Sequence, residues 1–372
     1  MNNTVTLRPE GRRIFVKGTL TQEAIEPIRE AMTANSIFCL DFSEVGDVNF
    51  AAMRGFLNLR KMGLPISIVN ASDAVTEKFE DSGLSTFVSI CRKAKALDMS
   101  IYEEFGESFM SKAYNSADGD AMIKVYGKHG SLEMVTREKA VARAVMVFGI
   151  PTPLVGTIYS DGEKWALDFE RIAGKRSLSR IISEEPERME EVTVHFAKMC
   201  KELHATPCDT AVFSDRREFY RSFIAPSKAI SEDTRRKIMA FIDRIPAATT
   251  CLHGDMQPSN VITNGKEYLW IDLSDFAYGY PMMDLAMFYF LSNVSDEKIM
   301  IHLFHMNKVQ MRKIWDIFCR VYFDTTDPAV LAAKEEEAKR YCILHMVYLG
   351  CMAGFEPFMI PIIEEAMAHW EE

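Results

Sequence analysis

The sequence predicts an α/β unit of under a hundred residues followed by a larger α+β body in two lobes. Three observations carry that prediction. As far as about residue 95, short apolar runs alternate with helical ones. Between residues 112 and 169, strand-like runs flank Asp118-Gly119 and Asp161-Gly162, with one helical segment between the two pairs. From about Leu178 onward the pattern is mainly helical, broken by one more hairpin signal at Asn264-Gly265.

In the first stretch, Arg13–Gly18, Ser36–Asp41 and Ile66–Val69 read as strands. Gln22–Met32 reads as a helix with Thr21 at its N-cap and Glu23 where the helix dipole favours a carboxylate, although Pro27 argues for a kink or a later start. Ala51–Met62 and, after Ser72, Ala74–Gly83 complete the helices. Arg92–Glu104 is charged and weakly patterned, as expected of a connection. Lys112–Tyr114 pairs with Ala121–Tyr126, and Val155–Tyr159 with Trp165–Phe169, because glycine accepts the positive φ of a tight turn. Leu132–Phe148 is the helix between them. The resulting parts are 1–95, 96–175 and 176–372.

Composition narrows the function. With 48% hydrophobic and 26% charged residues the chain can fill a sizeable core. A net charge of −10 argues against a nucleic-acid binder, which needs basic patches to neutralise phosphates. No signal pattern opens the chain, and the apolar stretch Cys342–Phe355, which contains His345, is too short to span a bilayer, so no membrane partner is expected. Eight scattered cysteines without a CxxC pair fit reduced thiols in the cytoplasm. His302 and His305 lack companions for a metal set.

The chemistry concentrates in Leu252-His253-Gly254-Asp255-Met256-Gln257-Pro258-Ser259-Asn260. An aspartate followed five positions later by an asparagine has the spacing of a kinase catalytic loop. Asp255 would accept the proton of an attacking hydroxyl, and the neutral oxygen of Asn260 would bind magnesium without repelling phosphates. The strands Asn260–Thr263 and Tyr268–Asp272, joined by a four-residue loop, would set Asn260 opposite Ile271 and beside Asp272, the second metal ligand. Alone, a His-Gly-Asp tripeptide is as readily a turn, and a lone strand lysine is ordinarily solvated. The order Lys124, Glu138, Asp255, Asn260, Asp272 on the expected element types is what points to chemistry.

Residues from about 100 to 372 resemble the aminoglycoside phosphotransferase and choline kinase-like family, itself similar to protein kinases. The resemblance rests on His253-Gly254-Asp255 through Asn260, Trp270-Ile271-Asp272, Gly279-Tyr280-Pro281 before Asp284-Leu285-Ala286, and Cys200-Lys201-Glu202-Leu203-His204-Ala205. It implies a two-lobed protein-kinase-like fold, ATP and Mg as cofactors, and a small hydroxylated, cationic or sugar-like acceptor. It implies that Lys124, within Met122-Ile123-Lys124-Val125, contacts the α/β-phosphates and that Glu138 pairs with it, Glu133 being the competitor. Leu167–Gly174 resembles the linker between lobes, placing Glu170 and Ile172 against adenine, and Asp284 is expected to be structural. The phosphate loop Glu104–Ala113 departs from the pattern in having only Gly106, so Ser108 or Ser111 would have to stand in for backbone amides. Acidic residues near Asp275 or Glu364–Glu365 are expected to line the acceptor site.

The first part resembles another family, the STAS domain of anti-sigma factor antagonists, through Cys39-Leu40-Asp41-Phe42-Ser43-Glu44-Val45. Val48-Asn49-Phe50-Ala51-Ala52-Met53 lacks the hydroxyl that phosphorylated members carry at the next helix. That leaves a docking role for residues 1–95, onto a protein partner or within the chain. It also frames the alternative to an enzyme: a nucleotide-binding regulatory module.

Overall fold

The computed structural model describes residues 5–11, 13–107, 111–117, 119–127, 130–161 and 163–370, with side chains at all of these except 106, 107 and 133. The chain divides into two compact units. One comprises Met1–Tyr114, Lys124–Thr136 and Thr157–Asp168, the other Asn115–Ile123, Arg137–Gly156 and Phe169–Glu372.

The first unit opens with a five-stranded sheet of β1 (Thr6–Glu10), β2 (Arg13–Leu20), β3 (Cys39–Val48), β4 (Ser67–Ala71) and β5 (Ser89–Arg92), in that order. β1 and β2 are antiparallel; the remaining pairs are parallel, which requires crossovers. Those crossovers are α1 (Ile25–Asn35), α2 (Phe50–Lys61) and α3 (Asp73–Asp81). Their apolar faces bury Ile28, Met32, Phe56 and Phe79 against Ile14, Leu40, Phe42 and Ile68 of the strands.

Local chemistry explains where these elements differ from the sequence expectation. The helix expected from Gln22 starts as a short 3-10 turn and becomes α-helical only at Ile25. That start puts Pro27 in the first turn, where its missing N–H costs nothing. Thr21 makes no side-chain cap to the backbone; its hydroxyl bonds Glu23 instead. The helix runs on to Asn35 and stops at Ser36, whose φ of 53° is left-handed, so the following strand begins at Cys39. That strand continues to Val48, past Asp41 where it was expected to end, kept in the sheet by two register shifts against β2. Asn49 then caps α2, its Oδ1 accepting the Ala52 amide at 2.9 Å.

A second, six-stranded sheet has the order β6 (Lys95–Ala96), β10 (Val155–Ser160), β11 (Trp165–Glu170), β9 (Ala121–Tyr126), β8 (Ser111–Ser116), β7 (Tyr102–Glu107). The stretch 92–104, expected as a plain connection, contributes β6, which pairs in parallel with β10. The helix between the hairpins is α4 (Leu132–Val147).

The second unit is mostly helical: α5 (Leu178–Glu184), α6 (Met189–Ala205), α7 (Arg216–Ile224), α8 (Glu232–Arg244), α9 (Met282–Tyr289), α10 (Glu297–Phe304), α11 (Lys308–Tyr322), α12 (Pro328–Ala353) and α13 (Met359–Ala368). Its core centres on Phe196, Phe288, Trp315 and Phe318, with Phe196 and Phe288 meeting edge to face at 5.5 Å. The buried half of α12, Tyr341–Gly350, absorbs the apolar C-terminal run. Small ladders lie on this helical base. β12 (Arg176–Ser177), β14 (Val261–Thr263) and β15 (Tyr268–Trp270) form one, and β13 (Thr250–Leu252) with β16 (Ala277–Gly279) forms another. Among the described residues no helix is long and apolar enough to cross a membrane, and none of the eight cysteines forms a disulfide.

Candidate active site

The loop leaving β13 carries His253, Gly254 and Asp255. β13 is fixed to β16 by the pairs Thr250–Gly279, Cys251–Tyr278 and Leu252–Ala277, so the loop starts from a rigid edge. Fully buried His253 donates from Nε2 to the Ile271 carbonyl at 3.0 Å and accepts the Asp255 amide on Nδ1 at 3.3 Å. The ring ties the loop to the segment before Asp272.

Asp284, at the start of α9 and almost wholly buried, secures the same loop. Its Oδ2 accepts the His253 amide at 2.6 Å and its Oδ1 the Gly254 amide at 2.8 Å. His204, near the end of α6, donates from Nε2 to Asp284 at 3.1 Å, and its Nδ1 is hydrogen-bonded with the Tyr322 hydroxyl at 2.7 Å. Burial alone would raise the Asp284 pKa, but His204, the nearby His253 and the Gly254 amide outweigh it and hold the carboxyl below its usual range. Helix α6 thus contributes His204 to a carboxylate that pins two consecutive amides of this loop.

Gly254 itself is required. Its φ is 87°, and a Cβ there would lie 2.1 Å from the Asp275 carbonyl oxygen. From the other side Arg216, buried at the start of α7, donates to the Gly254 carbonyl at 3.0 Å and to the Asp275 carbonyl at 3.4 Å. Its guanidinium lies over the Phe219 and Tyr220 rings at 4.7 and 5.0 Å. Burial works against its charge, yet Tyr220 and Asp275 nearby keep it firmly protonated.

Held this way, Asp255 presents its carboxylate to amide donors from its own loop. Gln257 Nε2 reaches both oxygens, at 3.0 and 2.9 Å, and Asn260 Nδ2 donates to Oδ2 at 2.9 Å and to the Asp255 carbonyl at 2.8 Å. The Asp255 pKa is raised, chiefly by burial. Asp272 and Asp275 add to the rise, while His253 and the Asn260 bond oppose it. Because Asn260 spends its nitrogen on Asp255, its amide oxygen is the end left for a cation. The Asn260 carbonyl accepts the Ile271 amide at 3.0 Å, and Val261 pairs with Trp270, so the hairpin sets Asn260 opposite Ile271, next to Asp272. Asp272 has φ 57° and ψ 53°, a left-handed conformation that aspartate tolerates and that concentrates at functional positions. No group of three or more His, Cys, Asp or Glu able to hold a metal occurs among the described residues. Asn260 and Asp272 are the two residues of this hairpin whose side-chain oxygens could hold a cation.

Beside this hairpin Ile172, Ile262 and Leu269 bury together, with Ile271 packed against them. They make an apolar surface at the end of the segment that follows β11. Within that segment the Glu170 amide donates to the Leu154 carbonyl at 2.8 Å, and the Glu170 carboxylate accepts the Leu154 amide at 3.1 Å. The Arg171 amide goes to Asp120 and the Ile172 carbonyl to Lys175. Lys124 lies on β9 in the first unit, its Nζ 5.6 Å from the Tyr126 ring centroid. Glu138 lies on α4 in the second unit and is buried. Ser108 and the Glu133 side chain lie outside the described residues. Glu364 and Glu365 are exposed on α13.

Sequence reasoning missed two participants. Arg216 carries no motif, and Gln257 lies inside the motif with no assigned role. For Arg216 the one local signal is Asp215, which caps α7.

The comparisons with known proteins follow this geometry. The profile of the phosphotransferase enzyme family matches residues 106–308. Among solved structures, the aminoglycoside phosphotransferase APH(4)-Ia is similar with a TM-score of 0.50 at 15% identity, over 73% of this chain and 94% of its own. A thermostable mutant of that enzyme, in ternary complex with AMP-PNP and hygromycin B, gives 0.48 at 15% identity over 72% and 91%. A choline/ethanolamine kinase family protein from Mesorhizobium loti gives 0.42 at 16% identity over 72% and 86%. At these identities the likeness is one of fold. A comparison with curated protein sequences finds no match. Since the family profile spans more than half of the residues, the chain belongs to the phosphotransferase enzyme family.

Proposed function

We propose that this phosphotransferase moves the γ-phosphoryl group of ATP, with magnesium, onto a hydroxyl of a small molecule. The observation that carries the reading is the Asp255 carboxylate, held by two amide side chains of its own loop beside Asn260 and the hairpin that ends at Asp272. Asp255 orients the acceptor hydroxyl and takes its proton as the oxygen bonds to phosphorus. The bond between phosphorus and the β–γ bridging oxygen breaks, and ADP leaves. Asn260 and Asp272 hold magnesium, which neutralises charge on the phosphates. Lys124 binds the α/β-phosphates, with Glu138 as its positioning partner and Ser108 at the phosphate loop. The Glu170 carbonyl and the Ile172 amide meet the base above the apolar surface of Ile172, Ile262 and Leu269. In APH(4)-Ia, a solved complex holds AMP-PNP and hygromycin B; a hydroxylated, cationic acceptor of that kind is the first class to try here.

The parts assigned to this reading are a kinase-like small lobe over 96–175 and a helical lobe over 176–372. Residues 1–95 form a STAS-like domain that docks a protein partner or its own chain. One observation favours a purely regulatory molecule: the single Gly106 of the phosphate loop. Phosphorus NMR of ATP and magnesium with pooled hydroxylated amines, sugars and aminoglycosides separates the readings. A new phosphate-ester signal from the wild type but not from Asp255→Asn supports the enzyme. Saturable ATP binding with no ester from either protein supports the regulatory module.

A further inference from the structure

The grip of Arg216 on the loop has a support of its own, which runs back to α12. Tyr220 follows Arg216 by one turn of α7 and is 1% exposed. The Arg216 guanidinium lies over its ring at 5.0 Å, and the Tyr220 hydroxyl is hydrogen-bonded with Nδ1 of His345 at 3.0 Å. His345 belongs to the buried half of α12 and packs among the rings of Tyr220, Phe290 and Tyr348, with centroids 6.2, 5.9 and 5.8 Å away. All of these residues lie in the second unit.

Filling space does not account for His345. Its Nε2 is buried and has no hydrogen-bond partner among the described residues. An unmet ring nitrogen in an apolar core destabilises the fold, and a leucine of comparable size would avoid that penalty. What the imidazole supplies is one bond, and it goes to Tyr220. Burial pushes the His345 pKa down to about 3 and the Arg216 charge adds to the effect, with Asp284 opposing, so the ring is neutral at ordinary pH. Burial also works against the Arg216 charge, whose largest support comes from Tyr220. For Tyr220 burial raises the pKa, and Arg216 opposes the rise by its charge and a side-chain hydrogen bond. The hydroxyl is thus set between a cation and a neutral imidazole.

Resting on the catalytic reading above, we propose that Tyr220 and His345 are positioning residues for phosphoryl transfer. Their hydrogen bond holds Arg216 where it grips the Gly254 and Asp275 carbonyls, and so sets the Gly254–Asp255 peptide from which the base hangs. Tyr220→Phe, His345→Leu and the double variant test this on the full chain. Each single variant strands a buried partner and should lower the urea midpoint; the double variant strands neither and should regain most of it. The loop should not recover. The Asp255 amide shares a peptide group with the Gly254 carbonyl, so in the double variant its hydrogen exchange should be about tenfold faster, about the value of one hydrogen bond to a charged group. The Cys251 amide, bonded to the Thr206 carbonyl, should exchange as in wild type. The rate of phosphate-ester formation from ATP, magnesium and the pooled hydroxylated amines, sugars and aminoglycosides should fall about tenfold, with ADP affinity by calorimetry within about twofold. His345→Gln, which keeps a polar atom for Tyr220, should stay within about threefold of wild type on both readouts. Should the double variant fold poorly, Tyr220→Phe carries the exchange readout with Cys251 as its internal control.

The inference is overturned if the double variant exchanges Asp255 and forms ester as wild type does. It is also overturned if exchange and rate recover together with the urea midpoint, or if ADP affinity falls as far as the rate, because the pair would then support the helical core alone. In these cases Asp255→Asn is still inactive and the catalytic reading stands. Asp255→Asn that forms ester at the wild-type rate, or wild type that forms none, removes both.

Discussion

Asp41 in the N-terminal sheet and Asp255 in the catalytic loop are both withdrawn carboxylates, and they are treated in opposite ways. Asp41 is 1% exposed and closed by opposite charge: Arg13 donates at 3.2 Å, Asn70 at 2.7 Å and the Ser43 amide at 3.0 Å. Asp255 accepts side-chain bonds only from neutral amides, and two further carboxylates, Asp272 and Asp275, act on it. A carboxylate that serves the fold is neutralised within the fold. Asp255, the proposed base, is oriented by neutral donors instead, with Asp272 and Asp275 raising its pKa against His253.

Several measurements would break or sharpen that contrast. The largest effect is expected from Asp255→Asn, which should lower kcat by about 10²- to 10⁴-fold while ADP binding by calorimetry is retained. Unchanged turnover would place Asp255 with Asp41 as a structural group. Asp41→Ala should do the reverse. It strands Arg13 and Asn70 and should cost about 3 kcal/mol in urea unfolding with kcat per folded molecule unaltered. Gly254→Ala lies between the two, because its Cβ must push the Asp275 carbonyl away from a left-handed backbone. About 1–3 kcal/mol of stability and a measurable part of kcat should go together.

The smallest effect concerns pH. With the Asp255 carboxylate as the proposed base and its pKa raised, the acid limb of kcat/KM should lie above the ordinary carboxylate range. Asp275→Asn removes one of the charges that raise it and should move that limb to lower pH. The sign for stability is opposite to that of a salt-bridged aspartate. A carboxyl with a raised folded pKa holds its proton more tightly when folded, so its contribution falls as pH rises from the unfolded to the folded pKa. An acid limb that ignores Asp275→Asn would mean that the limb reports another group.

What the sequence made legible was local. His253-Gly254-Asp255 to Asn260 and the hairpin to Asp272 lie within about twenty positions, so spacing and turn length bring Asn260 opposite Ile271 as expected. The Ser72 cap marked the start of one helix and Pro27 the later start of another, whereas the capped helices after Leu178 were read only as a mainly helical stretch. The long-range partners were not legible. Arg216 meets Gly254 across 38 positions and His204 meets Asp284 across 80, and no periodicity marks residues that touch only after helices have packed. Asp284 was expected to be structural; what could not be read was that the backbone it supports is the catalytic loop.

Gly254 lies between opposite charges: Asp284 accepts its amide, and Arg216 donates to its carbonyl. A link gripped by an anion at one end and a cation at the other cannot swing without breaking both grips. Asp255, the proposed base, therefore hangs from a backbone fixed to both α7 and α9, and a substrate that reaches it must come to the loop as it stands.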